Sequence, residues 1–111
     1  MSIKKDAEEL LVYCYKQKLS EGSIPDFENL NITTNWDRTR LTNACQYLID
    51  KGWVYGKPTY TMGSKSPVFI LLNDLSSHGI DLIESEKEFE KHFEHKINLG
   101  VYEFSWGARE R

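Results

Sequence analysis

The stretch WDRTRLTNACQYLIDKGWV, residues 36–54, contains a helix with a defined start, a defined end and two chemically different sides. Apolar residues recur at spacings of three and four, which places them on one side of a helix: Leu41, Ala44, Cys45 and Leu48. Asp37 is suited to cap the first turn, and Gly52 to end the helix in a left-handed conformation. We therefore predict an amphipathic helix over residues 37–51.

The opposite side of this helix carries side chains that hydrogen-bond well, where an ordinary solvated helix would more often carry Glu and Lys. They are Thr39, Thr42, Asn43 and Gln46, with Arg38 and Arg40 at the flanks. Hydroxyl, amide and guanidinium groups reach base edges and phosphates in the DNA major groove. The pattern favours DNA contact, and the alternatives are protein contact or a solvated face without a role.

Length and composition indicate one globular domain. The chain has 111 residues, of which 40% are hydrophobic and 28% charged, which is ordinary for a soluble protein. No apolar run approaches the ~20 residues of a membrane span, and the start MSIKKDAEELL does not resemble a signal peptide. We therefore expect a cytoplasmic protein with no membrane contact. Cys14 and Cys45 fall on apolar helix faces and are expected to be core thiols rather than a disulfide.

The net charge of -3 is unusual for a protein that binds nucleic acid. Its distribution is uneven, because residues 33–66 contain five basic and two acidic residues, whereas residues 67–111 contain five basic and nine acidic residues. Phosphate binding depends on local potential, so an acidic total is compatible with DNA binding if the basic residues converge on one face.

Periodicity predicts further elements on both sides of the central stretch. Residues 4–19 form a first helix, with Ala7, Leu10, Leu11 and Cys14 inside and Lys5, Glu8, Glu9 and Lys16 outside. Ser23–Ile24 is a candidate short strand, and Pro25 begins a second helix to about Asn31, with Phe27 and Leu30 inward and Ile32 packing the following turn.

Beyond Gly52 the pattern alternates, which predicts a hairpin of strands 53–61 and 68–72 with Pro58 at an edge or bulge. Ser76 is the expected cap of the next helix, and Gly79 in its first turn indicates close backbone packing. Residues 84–96 are strongly charged. Phe89, Phe93 and Ile97, spaced four apart, form a narrow apolar stripe along this segment. The aromatic stretch INLGVYEFSWG, residues 97–107, is expected to pair with the hairpin or with a partner subunit.

The run Leu41-x-x-Ala44-Cys45-x-x-Leu48-x-x-Lys51-Gly52-Trp53-Val54 resembles the recognition helix and following strand of the winged helix-turn-helix superfamily. The later Leu75-Ser76-Ser77-His78-Gly79 is similar to the segment that starts the helix after the wing in small winged-helix proteins, including MarR-type and PadR-type repressors. The resemblance covers residues 4–84. It implies an α+β fold, a third helix in the major groove and dimers that read two half-sites.

Carried onto this sequence, the resemblance implies DNA contacts by recognition helix 37–51 and wing 54–72. The implied DNA-binding residues are Arg38, Thr39, Arg40, Thr42, Asn43, Gln46, Lys57 and Lys65. The wing contains no arginine, so it is expected to contact phosphates rather than enter a narrow minor groove. Residues 1–84 would form the winged-helix domain and residues 85–111 a C-terminal helix and strand-like tail. A homodimer would form through Phe89, Phe93, Ile97 and residues 97–106.

These expectations define a transcriptional regulator that binds double-stranded DNA. The main alternative is a winged-helix module that binds another protein and no DNA. A third is a repressor with an effector pocket at its dimer interface. Glu88, His92 and His95 have a spacing compatible with a metal, although a solvated helix face is the favoured interpretation. No catalytic motif is present, so we expect neither an enzyme nor a cofactor.

Overall fold

A computed structural model describes residues 2–60, 62–63 and 69–85. Three helices are followed by an antiparallel hairpin and a fourth helix, which is the α+β class expected from the sequence. The elements are α1 (Ile3–Glu21), α2 (Phe27–Thr34), α3 (Arg38–Asp50), β1 (Val54–Thr59), β2 (Phe69–Leu75) and α4 (Ser77–Glu84). The predictions for Lys65, for the charged stretch beyond Ser85 and for the aromatic tail lie outside the described residues.

Each helix begins at a residue whose side-chain oxygen accepts a hydrogen bond from a backbone N–H three positions later. These capping residues are Ser2, Asp26, Asp37 and Ser76. Such a bond satisfies one of the N–H groups that the first turn leaves without an intrahelical partner. The predicted caps at Asp37 and Ser76 are therefore confirmed.

The end of α3 is fixed by Gly52, as the sequence predicts. Gly52 has a φ of 77°, its N–H donates to the Ile49 carbonyl over 2.9 Å, and the Trp53 N–H donates to the Leu48 carbonyl over 3.1 Å. This paired bonding is a Schellman motif, in which a left-handed residue turns the chain out of the helix. Trp53 then packs near the Tyr47 ring, with centroids 6.1 Å apart.

Helix α1 is buried around its whole circumference between Asp6 and Val12. The predicted inner residues Ala7, Leu10, Leu11 and Cys14 are buried, but the prediction that Glu8 and Glu9 face outward is wrong, since both are almost fully buried. The sequence pattern assumed a helix covered on one side only. Burial raises the pKa of Glu8 to about 7, an effect that Glu9 reinforces and Lys5 opposes.

The core forms mainly where α1 packs against α3, and α2, the hairpin and α4 complete it. Cys14 and Cys45 are buried free thiols, as expected. Burial raises the pKa of the Cys14 thiol to about 12, so it behaves as an inert apolar group at neutral pH. Among the described residues, no helix has the length and hydropathy to cross a membrane.

Helix α2 differs from its prediction at both ends. It begins after Asp26 instead of at Pro25, and it continues to Thr34, whose hydroxyl donates to the Leu30 carbonyl over 2.8 Å. Phe27 and Leu30 point inward as predicted. Ser23–Ile24 is not a strand. Ile32 does not pack the turn, because 78% of its surface is exposed.

The predicted hairpin is confirmed, with β2 three residues longer than expected at its C-terminal end. Pro58 pairs with Ile70, and a bulge lies between Tyr55 and Gly56, which pair with Asp74 and Leu72. Among the described residues each strand has one neighbour in a two-stranded sheet, so Pro58 lies on an edge strand of this part of the chain, as predicted.

Ser76 and Gly79 join α4 to the chain that leaves α3. The Ser76 N–H donates to the Trp53 carbonyl over 3.0 Å, and its hydroxyl donates to the Gly52 carbonyl over 2.6 Å. A Cβ atom at Gly79 would overlap the Trp53 carbonyl oxygen. The close backbone packing expected at Gly79 is therefore confirmed.

We predict that Gly79→Ala destabilises the fold by about 2 kcal/mol, because the added methyl group has no space against the Trp53 backbone. Chemical denaturation followed by circular dichroism measures this loss. Ser77→Ala, at an exposed position of the same first turn, is the control and should change stability little. Equal midpoints for the Gly79 variant and the wild-type protein would contradict the packing described.

We also predict that stability falls as pH rises from about 4.5 to 7. The folded-state pKa of Glu8 is raised, so the folded chain binds more protons than the unfolded chain in this window. The shift from 4.5 to about 7 corresponds to a loss of about 3 kcal/mol. Urea denaturation at several pH values should show this slope in the wild-type protein and a smaller one in Glu8→Gln. The exposed-site variant Glu21→Gln should retain the wild-type slope.

Candidate nucleic-acid interface

The predicted amphipathic character of α3 is confirmed on its apolar side, where Leu41, Ala44, Cys45 and Leu48 are all buried. On the opposite side Arg38, Thr39 and Asn43 are exposed, and Gln46 is half-buried. We call these four residues the outer face of α3. Thr39, Asn43 and Gln46 follow one another at spacings of four and three, so their side chains form a row along the helix.

Thr42 does not belong to this row. It is only 7% exposed, so the prediction that it faces outward is wrong. Thr42 lies seven residues before Ile49, almost two full turns, and therefore on the same side of the helix. Ile49 is half-buried beside Gly56 of β1, so the buried arc of α3 is wider on this side than the four inward residues indicated.

Arg40 connects α3 to α1. Its Nε donates to Asp6 Oδ2 over 2.8 Å, and its Nη2 donates to Asp6 Oδ1 over 2.9 Å. The guanidinium also lies over the Trp36 ring, 4.2 Å from its centroid. The Asp6 carboxylate raises the pKa of Arg40. Since the Asp6 side chain is 5% exposed, this bidentate pair is largely shielded from water and holds Arg40 inward.

No pattern in the sequence indicates the ion pair between Arg40 and Asp6. Asp6 fits the usual preference for an acidic residue in the first turn of a helix. The two residues are 34 positions apart, and no local spacing rule links side chains across two helices. Only the packing of α1 on α3 brings them together.

Arg38 turns toward α2. Its Nη2 lies 3.2 Å from Glu28 Oε2, and its guanidinium lies 5.0 Å from the centroid of the Phe27 ring. Both charged side chains are about half exposed, at 48% for Arg38 and 60% for Glu28. An ion pair in this setting contributes less than about 1 kcal/mol, so Glu28 is a weak competitor for a phosphate.

The remaining predicted contacts lie at the far end of α3 and on the hairpin. Gln46 donates to Asp50 over 2.9 Å, which places a carboxylate beside the outer face. Lys57 is exposed on β1. Lys51, which the sequence did not single out as a contact, is exposed near the Tyr47 and Trp53 rings. Its position one turn beyond Tyr47 was visible in the sequence, but not its exposure.

A cleft of about 530 Å³ opens beside the outer face, where α1 and α3 begin. Its lining combines one aromatic ring, one guanidinium and several hydrogen-bonding groups, including Asp6, Asn35, Trp36, Thr39, Arg40 and Asn43. Thr39 and Asn43 thus belong both to the outer face and to the cleft. No cleft of this kind was expected from the sequence, because its two walls come from separate helices.

The described residues contain no group of three His, Cys, Asp or Glu side chains placed to bind a metal. Glu88, His92 and His95 lie outside them. A scan against protein-family models finds no match, and searches of curated proteins and of solved structures also find none. The likeness to winged-helix proteins therefore depends on the order of three helices and a hairpin.

We predict that Arg40→Gln destabilises the protein by about 2 kcal/mol, since Asp6 would keep a buried charge without its main partner. Adding Asp6→Asn should recover part of the loss, because the unpaired charge is then removed. Arg38→Gln is the matched control and should cost less than about 1 kcal/mol at its exposed site. Thermal denaturation of the wild-type protein, Asp6→Asn, Arg40→Gln, the double variant and Arg38→Gln tests this. Losses of the two single variants that simply add in the double variant would refute the coupling.

Proposed function

We propose that the chain is a winged helix-turn-helix protein that binds double-stranded DNA through the outer face of α3. Helices α2 and α3 are joined by a short turn in which Asn35 adopts a left-handed conformation with a φ of 59°. The hairpin follows α3 directly. This is the element order in which a recognition helix and a wing act together on a duplex.

The observation that carries the proposal is the exposure of Thr39 and Asn43 on a helix whose other side is fully buried. A helix anchored in this way presents its outer side chains at fixed positions. The Asn43 amide can donate to and accept from one adenine edge at the same time, and the Thr39 hydroxyl can contact a base or a phosphate. Short, rigidly placed side chains of this kind suit recognition better than they suit simple solvation.

Phosphate contacts in this proposal come from three exposed basic residues. Arg38 lies at the start of α3, Lys51 just beyond its end and Lys57 on the hairpin. Arg40 is assigned a supporting role, because its bond to Asp6 fixes how α3 sits on α1. The wing lysine Lys65 remains a sequence-based proposal.

We further propose that the protein acts as a transcriptional regulator and as a homodimer that reads two half-sites. The dimer contacts suggested by the sequence are Phe89, Phe93, Ile97 and residues 97–106. Two copies would double the number of phosphate contacts, which matters because the described part of one copy offers only three of them in this proposal. Dimer symmetry would also give the bound sequence palindromic character.

The test is selection of bound duplexes from a random pool, followed by salt titration of the enriched sequence. We predict that Asn43→Ala weakens binding roughly tenfold and relaxes the preference at one base pair. Lys57→Gln should weaken binding to all sequences and reduce the salt slope by about one. Asn73→Ala, at an exposed hairpin position, is the control. Absence of enrichment together with binding that does not change with salt would exclude this function.

A second candidate is binding to another protein through the hairpin. Tyr55, Tyr60 and Leu71 are each about half exposed, and Met62 is 100% exposed. Exposed apolar groups gathered on one hairpin are typical of contact surfaces. The two candidates are separable, because Tyr55→Ser with Leu71→Ser would remove the protein contact and leave the outer face of α3 unchanged.

A further inference from the structure

We infer that the cleft beside α3 is a binding site for a flat, uncharged heterocycle of the nucleobase type. This inference goes beyond the proposed binding of duplex DNA and does not depend on it. The cleft volume of about 530 Å³ lies within the range of ordinary small-molecule sites. A base with its sugar fits within that volume.

Arg40 and Trp36, which both line the cleft, provide a surface on which a flat ring can stack. The Arg40 guanidinium carbon lies over the Trp36 ring, and its Nε and Nη2 donate to Asp6. Neither Nη1 nor the side of the guanidinium away from Trp36 takes part in these contacts. Arg40 lines the cleft and its side chain is 28% exposed. Guanidinium planes stack on nucleobases, and this one is already fixed in orientation.

Two polar side chains of α3 that line the cleft can hydrogen-bond to the edge of a base. Asn43 and Thr39 are exposed, line the cleft and lie four residues apart on α3. The Asn43 amide has the donor and acceptor needed for two bonds to adenine, and the Thr39 hydroxyl can either donate or accept. A group that stacks together with groups that hydrogen-bond to a ring edge favours a base over an aliphatic ligand.

Charge narrows the ligand class. Among the described residues, the lining contains the carboxylates of Asp6 and Asp37 and one guanidinium, that of Arg40. A phosphate placed among these groups would meet more negative than positive side chains. The cleft therefore favours a base or nucleoside over a nucleotide. The base can come from a free nucleoside or from an unpaired position in a strand, since both present the same ring and edge.

Occupation of the cleft would have a consequence for the outer face of α3. Thr39 and Asn43 serve both surfaces, so a bound heterocycle would occupy side chains that the proposed duplex contact requires. Nucleoside and duplex are then competitors. This consequence alone rests on the proposed function.

The experiment uses calorimetry to titrate the 111-residue chain with adenosine, with adenosine monophosphate and with a duplex that carries one unpaired adenine. We expect saturable binding of adenosine, weaker binding of the monophosphate and a roughly tenfold loss in Asn43→Ala. Gln46→Ala is the matched control, because Gln46 belongs to the outer face but does not line the cleft. It should leave adenosine affinity unchanged. Circular dichroism confirms that both variants are folded.

The results expected for a free nucleoside, for an unpaired base in a strand and for no binding differ from one another. Binding of adenosine that depends on Asn43 and not on Gln46 supports the inference with a free nucleoside as ligand. Binding of the unpaired adenine alone, with the same dependence, supports it with a strand as the source. No saturable binding of either ligand, or equal losses in both variants, overturns it. A fully paired duplex tested with Gln46→Ala reports on the proposed DNA binding separately, so one proposal can fail without the other.

Discussion

The packing of α1 against α3 is the constraint on which the rest of this structure depends. This packing buries the apolar side of α3. At one end of the two helices, Arg40 of α3 forms an ion pair with the buried Asp6 of α1. Because α3 cannot rotate without exposing Leu41 and Leu48, the side that faces solvent is fixed. Contacts on the buried side of the helix therefore determine where Thr39, Asn43 and Gln46 lie. A change that loosens the core would also displace this row.

A smaller set of contacts connects the end of α3 to the start of α4. Gly52 ends α3, Trp53 enters the core, and Ser76 and Gly79 pack on the backbone of those two residues. Backbone atoms make most of these contacts. Position 79 therefore requires a residue without a side chain, because a Cβ atom has no space there. Position 76 requires a hydroxyl, because that group donates to the Gly52 carbonyl. The hairpin between α3 and α4 is thereby held at a fixed angle to α3.

The sequence predicted the elements whose causes are local. Helical periodicity, the caps at Asp37 and Ser76 and the left-handed Gly52 depend on neighbouring residues, and each was found in its predicted place. The start of α2 was a local error, because Asp26 caps the helix that was expected to begin at Pro25. The other errors discussed here arose where distant packing decides. Glu8 and Thr42 are polar residues covered by other elements, Ile32 is an apolar residue left exposed, and the cleft exists only because α1 and α3 begin side by side. Spacing along one element cannot reveal what lies on its far side.

The positions of the two arginines decide what kind of duplex contact this surface can make. Arg38 is paired at an exposed site, where exchange of Glu28 for a phosphate costs little. Arg40 is bound to the shielded Asp6, and its release would leave that carboxylate buried and charged without its partner. Non-specific attraction is therefore weak for one copy of this acidic chain, and recognition must come from the amides and hydroxyl of α3. In the proposed function, two copies on one site would supply the phosphate contacts that one copy lacks, so the proposed dimer is part of the proposed mechanism.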